Sequence, residues 1–324
     1  MKAIHCVEYS EKDNLSVVDI PNPIVGDNQV LIDTKISTLN YPDLLQMKGL
    51  YQVKPDLPYI PGTEVTGIVT EVGKNVTSVN IGDHVLGKDL TGGLAEQFCT
   101  EEINCLKLPK DLPFDIGASI TYSYGTAYYG LVDRGNLKPG ETLLVLGATG
   151  SVGLAAIQLG KVLGAHVVAA TSTEDKFDIC KKNGADEVIV YKQENLKQDL
   201  KNMTKGKGFN VVFDTLGDQY TEAALRATAW KGRFLVVGFI AGGIPKIPLN
   251  LPLLKNCDII GVFWGGFINQ EPENAMKNAV KLLDLHKSKQ ISPNIYKVFP
   301  LSDVELAIKV LSDKSIIGRV LLVP

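Results

Sequence analysis

The segment GETLLVLGATGSVGLAAIQLGK, Gly140 to Lys161, places 19 uncharged residues in a row between Glu141 and Lys161, and its reading decides the fold. About 20 apolar residues are enough to cross a bilayer, so length alone allows a membrane span. The interior of the run argues against one. Gly147, Gly150, Gly153 and Gly160 each cost a helix about 1 kcal/mol relative to Ala, and Thr149 and Ser151 add polarity at the centre. The alternative is a buried strand over Thr142–Leu146, a glycine turn, and a helix from about Ser151 to Val162. That is the layout of a loop that cradles phosphate at a helix N-terminus.

Outward from this run, two textures alternate. Residues 1 to about 121 read as short strands with Gly and Pro punctuation, among them NQVLIDTKIS, EVTGIVTEVG and GDHVLG. From about 122 to 266 the pattern becomes strand, helix, strand, helix: HVVAAT, STEDKFDICKKNGA, DEVIVY, FNVVFDTLG, RFLVVGF and DIIGVFWG follow in turn. Gly164 and Gly184 stand where left-handed C-terminal caps are wanted. Repeated βα units imply a parallel sheet covered on both faces. In the tail, EPENAMKNAVKLLDLH is an amphipathic helix with Pro272 near its first turn. LSDVELAIKVL is expected to open with a Ser302–Glu305 capping box, and GRVLLVP is a closing strand.

The 324-residue length allows two domains, and 45% hydrophobic with 21% charged residues is a globular composition. A net charge of −3 offers no basic face, which disfavours nucleic acid as the primary partner. The start, MKAIHCVEYSEKDN, has no apolar signal core, and five scattered cysteines suggest reduced thiols. A cytoplasmic protein is the expectation.

The loop reads Gly147-Ala148-Thr149-Gly150-Ser151-Val152-Gly153, a near-match to G-x-G-x-x-G in which Ala148 takes the first glycine's place. A strand before it, a helix after it and a second strand about 20 residues on strengthen the match. The competing reading is a tight βα turn with no ligand. An NAD site places Asp or Glu at the end of the second strand. Here HVVAAT ends in Thr171-Ser172-Thr173, and Glu174 and Asp175 fall in the next helix, with Ser172 and Asp175 expected to form a capping box. Lys176, one turn in, is within reach of a 2′-phosphate. Alone it is an ordinary solvated lysine; with the missing carboxylate it favours NADPH.

These motifs resemble the quinone oxidoreductase (zeta-crystallin-like) branch of the medium-chain dehydrogenase/reductase superfamily. The likeness runs nearly end to end, through NYPDLLQMKGLY (Asn40–Tyr51), PGTEVTGIVTEVG (Pro61–Gly73), GDHV (Gly82–Val85), GGLAEQ (Gly92–Gln97), YGTAYYGL (Tyr124–Leu131), the Gly140–Lys161 run and GRVLL. The resemblance implies an α/β fold: a doubly wound Rossmann domain (122–266) inserted in a GroES-like β-barrel catalytic domain (1–121 and 267–324). It implies NADPH in the interdomain cleft, and commonly a homodimer built on Rossmann edge strands. Carried over by residue, it sets Asn40 near the nicotinamide ribose and Thr126 near the nicotinamide or its phosphates. Gly150, Ser151 and Val152 fall on the pyrophosphate, and Ser172, Lys176 and Tyr191 around the 2′-phosphate. Phe239 and Phe263-Trp264-Gly265 flank the nicotinamide side, and Arg319 reaches the cofactor from the closing strand. The bland alternatives are a surface aromatic for Tyr191, core or interface aromatics for Phe263 and Trp264, and a solvated arginine for Arg319.

Two departures stand out. Thr149 and Gly150-Ser151 replace a small residue and a Gly-Gly pair, and Leu45 stands where some quinone reductases carry a tyrosine, six residues before Tyr51. Zinc-dependent relatives have Cys at the place of Asn40, His at that of Thr63, and a four-cysteine lobe; none of these is present. Catalytic zinc needs about three protein ligands, so no metal is expected. Without that Lewis acid, quinones or activated enones suit as hydride acceptors, with Asn40 and Tyr51 as candidate donors to the substrate oxygen. Tyr51 is equally readable as a hydrophobic lid. Tyr41, Leu45, Met47 and Tyr51 are expected to form an apolar opening. The rival activities are an enoyl thioester reductase and an NADPH-binding structural or RNA-binding crystallin-like protein.

Overall fold

The computed structural model describes residues 1–10, 14–191, 194–313 and 316–324. The chain enters through β1 (Lys2–Cys6), β2 (Leu15–Asp19), β3 (Gln29–Leu39), α1 (Tyr41–Met47), β4 (Glu64–Val72), β5 (His84–Lys88), β6 (Gln97–Glu101), β7 (Cys105–Lys107) and α2 (Phe114–Tyr128). A second series follows: β8 (Thr142–Leu146), α3 (Ser151–Val162), β9 (His166–Thr171), α4 (Phe177–Lys182), β10 (Glu187–Val190), α5 (Leu196–Met203), β11 (Phe209–Asp214), α6 (Asp218–Arg226), β12 (Thr228–Val236), α7 (Asn250–Lys255), β13 (Asp258–Gly261), α8 (Trp264–Gln270) and α9 (Pro272–Lys287). The chain closes with β14 (Ile295–Pro300), α10 (Val304–Ser312) and β15 (Arg319–Val323).

Two compact units result, Met1–Ile120 with Asn294–Pro324, and Thr121–Pro293. The return to the first unit therefore falls at 293/294 rather than at the expected 266/267. The reason lies in α8 and α9: Phe267 stacks on Tyr129 at 4.1 Å and Asn278 donates to Asp133 at 2.7 Å, which ties both helices to the second unit.

The second unit is built on a parallel sheet in the order β10-β9-β8-β11-β12-β13. This is a doubly wound arrangement whose order reverses beside β8, the place where such sheets bind ligands. Its central strands are buried over most of their length because both faces are covered: Leu143, Leu144, Val145 and Leu146 are 0% exposed. α3 packs on β8 and β9, and α6 on β11 and β12. Gly164 (φ +80°) and Gly184 (φ +102°) close their helices in the left-handed region, as expected from sequence.

The first unit contains a sheet ordered β14-β15-β3-β4-β5-β7, with β6 joined to β3, and a β1–β2 hairpin. The 11-residue β3 carries β6 against Gln29–Asp33 and β15 against Ser37–Leu39, while β4 takes its other edge. One strand thus serves two neighbours along a single edge, and its end delivers Asn40. Ile4, Leu39, Leu44, Met47, Phe299 and Leu322 form the core beneath. The Ser302–Glu305 capping box does not form. A 3-10 turn over Leu301–Asp303 precedes α10, Asp303 is the N-cap, and no side chain caps the helix.

Candidate active site

In the second unit, β8 ends in a turn that only glycine can make at two points. Gly147 has φ +72°, and a Cβ there would lie 2.2 Å from Thr215 Oγ1; one at Gly153 would lie 2.3 Å from the Gly147 carbonyl oxygen. Gly150 is different: a Cβ there would find only the Gly147 oxygen, at 3.6 Å, so the space over it is open. Gly150 is also the N-cap of α3 and supplies no side-chain cap. The N–H groups of Ser151, Val152 and Gly153 therefore lack an intrahelical acceptor. Open space, free donors and the positive end of a 12-residue helix fit a pyrophosphate.

β9 ends in Thr171-Ser172-Thr173, and among the described residues no carboxylate takes the position at its end that would bind a ribose 2′-OH. The expected Ser172–Asp175 capping box is absent. Thr173 is the N-cap of a 3-10 turn, Glu174–Lys176, without a side-chain cap. Ser172 instead lies within hydrogen-bonding reach of the Tyr191 phenol, which burial pushes upward in pKa. Parallel pairing of Val190 with Thr171 brings Tyr191 beside Ser172, and Tyr191 packs edge-on against Tyr220 at 4.7 Å. Lys176 is 7% exposed, and no carboxylate pairs with it among the described residues. Ser172, Lys176 and Tyr191 thus hang on the adjacent ends of β9 and β10, with one uncompensated cation among them.

On the same unit, Trp264 opens α8 and meets Tyr122 of α2 edge-on at 5.2 Å. A Cβ at Gly125 would lie 2.8 Å from Trp264 Nε1, which explains the glycine beside Thr126. Thr126 is buried and donates to the Tyr122 carbonyl. Phe263 is 62% exposed and covers Gly265 and Gly266, while Phe239 stands against Gly217.

In the first unit, Asn40 follows β3 and is the N-cap of α1. Its backbone N–H donates to Asp43 Oδ2 at 2.7 Å and its Nδ2 to Thr38 Oγ1 at 3.1 Å. Arg319 is not solvated: it is 3% exposed, donates Nη1–H to Asn40 Oδ1 and Nη2–H to the Ala118 carbonyl at 3.2 Å, and lies 3.9 Å from Glu64. Glu64 is itself buried and pairs across the strands with Lys88. Burial pushes Asp43 up to about 7, against the pull of the Asn40 N–H and Arg319. Burial also raises the Tyr51 phenol, with the charge of Asp43 adding to the shift, and lowers the Lys88 ammonium. Asp43, Glu64 and Lys88 were not singled out from sequence; the buried-charge spacing Asn-x-x-Asp was the available signal. Met47 does not line an opening. It is 3% exposed and packs in the core with Leu44. Among the described residues, no three of His, Cys, Asp and Glu are placed to share a metal ion.

Known proteins share this architecture. The family described as alcohol dehydrogenase GroES-like domain matches residues 26–110, and that described as zinc-binding dehydrogenase matches residues 151–283. A quinone oxidoreductase-like protein 2 homolog of Nematostella vectensis is 38% identical over 92% of this chain and 82% of its own length. Quinone oxidoreductase-like protein 2 of Rattus norvegicus is 34% identical over 99% and 91%. The crystal structure of Escherichia coli quinone oxidoreductase complexed with NADPH superposes with a TM-score of 0.92 at 27% identity, covering 100% of both chains. With a GroES-like unit and a doubly wound nucleotide-type unit in one chain, the protein belongs to the quinone oxidoreductase branch of the medium-chain dehydrogenase/reductase superfamily.

Proposed function

We propose that the chain is a zinc-independent NADPH-dependent reductase acting on quinones or activated enones. The observation that carries this reading is the pair of anion sites on one sheet: the bare N-terminus of α3 at Gly150–Val152, and the Ser172–Lys176–Tyr191 cluster at the ends of β9 and β10. The first suits a diphosphate, the second an added monophosphate. The NADPH complex of the E. coli relative supports the assignment. NADPH, when bound, supplies a hydride from its nicotinamide.

The residues of this chain then bind, orient and donate. Ser151 and Val152 offer backbone N–H groups to the diphosphate; Thr126, Phe239, Phe263, Trp264 and Gly265 wall the nicotinamide side. Asn40 offers an amide N–H, and Tyr51 a phenolic O–H, to the oxygen of the acceptor on which negative charge develops. Burial raises the Tyr51 phenol further above its ordinary value, so it keeps an O–H to donate in the neutral range. The amide Asn40 at the usual place of a zinc cysteine, and the lack of a three-ligand cluster among the described residues, support action without zinc.

Assembly as a homodimer through β13 is part of this proposal. β13 is one of the two edge strands of its sheet, and Leu249, Leu253, Leu254, Ile259 and Phe263 stand exposed on and around it. Such an edge is a template for pairing with a second copy; a monomer at micromolar concentration in sedimentation would contradict it. The central test is the affinity for NADPH against NADH, by nucleotide fluorescence, in wild type and Lys176→Ala. Loss of one charge-assisted contact should cost about ten- to a hundredfold in NADPH affinity with little effect on NADH. Equal wild-type affinities reject the assignment. A panel of quinones, enones and a crotonyl thioester then separates quinone from enoyl thioester reduction.

A further inference from the structure

The proposed chemistry needs the Asn40 side chain to present N–H, not C=O, to an oxygen that is gaining charge. A side-chain amide has both, and only its partners decide which end faces where. Both ends of this one are committed. The antiparallel register pairing Val320 with Leu39 sets Arg319 opposite Asn40, and the guanidinium donates to Asn40 Oδ1. Thr38 accepts one Nδ2–H at 3.1 Å, and Asp43 holds the backbone N–H at 2.7 Å. A guanidinium has donors only, so turning the amide over would set N–H against N–H inside a site where Arg319 and Asn40 are each 3% exposed. Ala118 and Glu64 fix the guanidinium in its turn.

We propose that Arg319 is a positioning residue that acts through Asn40, locking its amide so that the Nδ2 end, and not Oδ1, is the group offered to the substrate, rather than touching the nucleotide itself. The inference rests on the reading of the chain as an NADPH-dependent reductase. It differs sharply from a direct phosphate contact, which would place the whole loss on nucleotide affinity.

The test is a double-mutant cycle on the full chain with Arg319→Met, Arg319→Lys and Asn40→Ala, measuring the Kd for NADPH by nucleotide fluorescence and kcat and KM with a para-quinone. Arg319→Met should lower kcat by about 10- to 100-fold, the scale of loss expected for a misplaced catalytic group, while the Kd for NADPH changes less than about threefold. Arg319→Lys, a donor-only group that keeps a cation beside Glu64, should recover part of kcat. In the Asn40→Ala background the same substitutions should cost no more than about twofold, because the group they position is gone. If Arg319→Met fails to fold, Arg319→Lys in both backgrounds makes the same comparison. A tenfold rise in the NADPH Kd with kcat preserved, or a double variant that loses the product of the two single losses, overturns the inference. A wild-type chain that prefers no nucleotide and reduces no acceptor removes the underlying reading and the inference with it, which is a different outcome from additive variants of an active enzyme.

Discussion

Replacing Asp43 by Asn should flatten the pH dependence of the first unit's stability. Asp43 is 1% exposed, and among the described residues no donor lies within hydrogen-bonding distance of its Oδ1, so the ionised carboxylate is poorly accommodated. Burial raises its pKa from 3.8 to about 7 despite the Asn40 N–H and the nearby Arg319. The folded state therefore holds a proton that the unfolded chain has already released. For a raised pKa, the stabilisation is complete below the unfolded value and is lost as pH climbs through the folded one. Between about pH 4 and 7 the slope is about 1.4 kcal/mol per pH unit, and three units give a loss on the order of 4 kcal/mol. That is a large share of a typical domain stability of about 5–15 kcal/mol. The neutral amide of Asp43→Asn is still able to accept the Asn40 N–H and carries no such penalty. It should match wild type near pH 4.5 and exceed it near pH 8. Both tryptophans, Trp230 and Trp264, lie in the second unit, so their fluorescence would report the wrong part of the chain. Hydrogen exchange of peptides spanning α1 at pH 5, 6, 7 and 8, corrected for intrinsic rates, reads the relevant opening. Identical pH profiles for the two proteins would refute the reasoning.

Other expectations concern the second unit. Gly153→Ala places a methyl 2.3 Å from a backbone oxygen that cannot move aside, and should cost 3 kcal/mol or more, read as a fall in the thermal midpoint. Gly150→Ala finds open space, so its midpoint should stay near that of wild type while NADPH affinity drops; an unchanged affinity would remove the diphosphate from this loop. Asp214 accepts the Leu216 and Gly217 N–H groups on Oδ1 and the Thr221 hydroxyl on Oδ2. Asp214→Ala strands these buried donors and should cost about 2–4 kcal/mol in urea unfolding, whereas Asp214→Asn, which keeps the Oδ1 acceptor, should cost less than half as much. Phe213→Ala, which truncates a fully buried side chain of the same sheet, should cost about 3–5 kcal/mol.

The second unit was legible because its signals are local. The apolar run Thr142–Leu146, the glycines that follow and the periodic helix to Val162 lie within 22 residues, and the structure returns those bounds unchanged. The first unit was less so. α1 is seven residues long and begins at an Asn-Tyr-Pro sequence that reads as a turn, so neither the helix nor the burial of Met47 was apparent. Both expected capping boxes failed because a 3-10 turn precedes each helix: Ser172 lies before the turn Glu174–Lys176 and Ser302 within the turn Leu301–Asp303, so the N-caps of α4 and α10 fall later, at Lys176 and Asp303. The cluster around Asn40 was illegible as a cluster. Asp43 and Glu64 are near it in sequence, but Arg319 is 279 residues away, and only the β3–β15 register brings it there.

That register has a consequence for how the chain comes off the ribosome. The strand that leads into Asn40 emerges early, pairs with β4 and β6 within about sixty residues, and then waits through the whole nucleotide unit for β15. Until Arg319 has been synthesised, the Asn40 amide oxygen and the Glu64 carboxylate have no guanidinium to face. A nascent chain arrested between Pro293 and Gly318 would hold a complete second unit and an unfinished first one. It should acquire nucleotide affinity before it acquires turnover, so the order of gain during translation follows from the position of one edge strand.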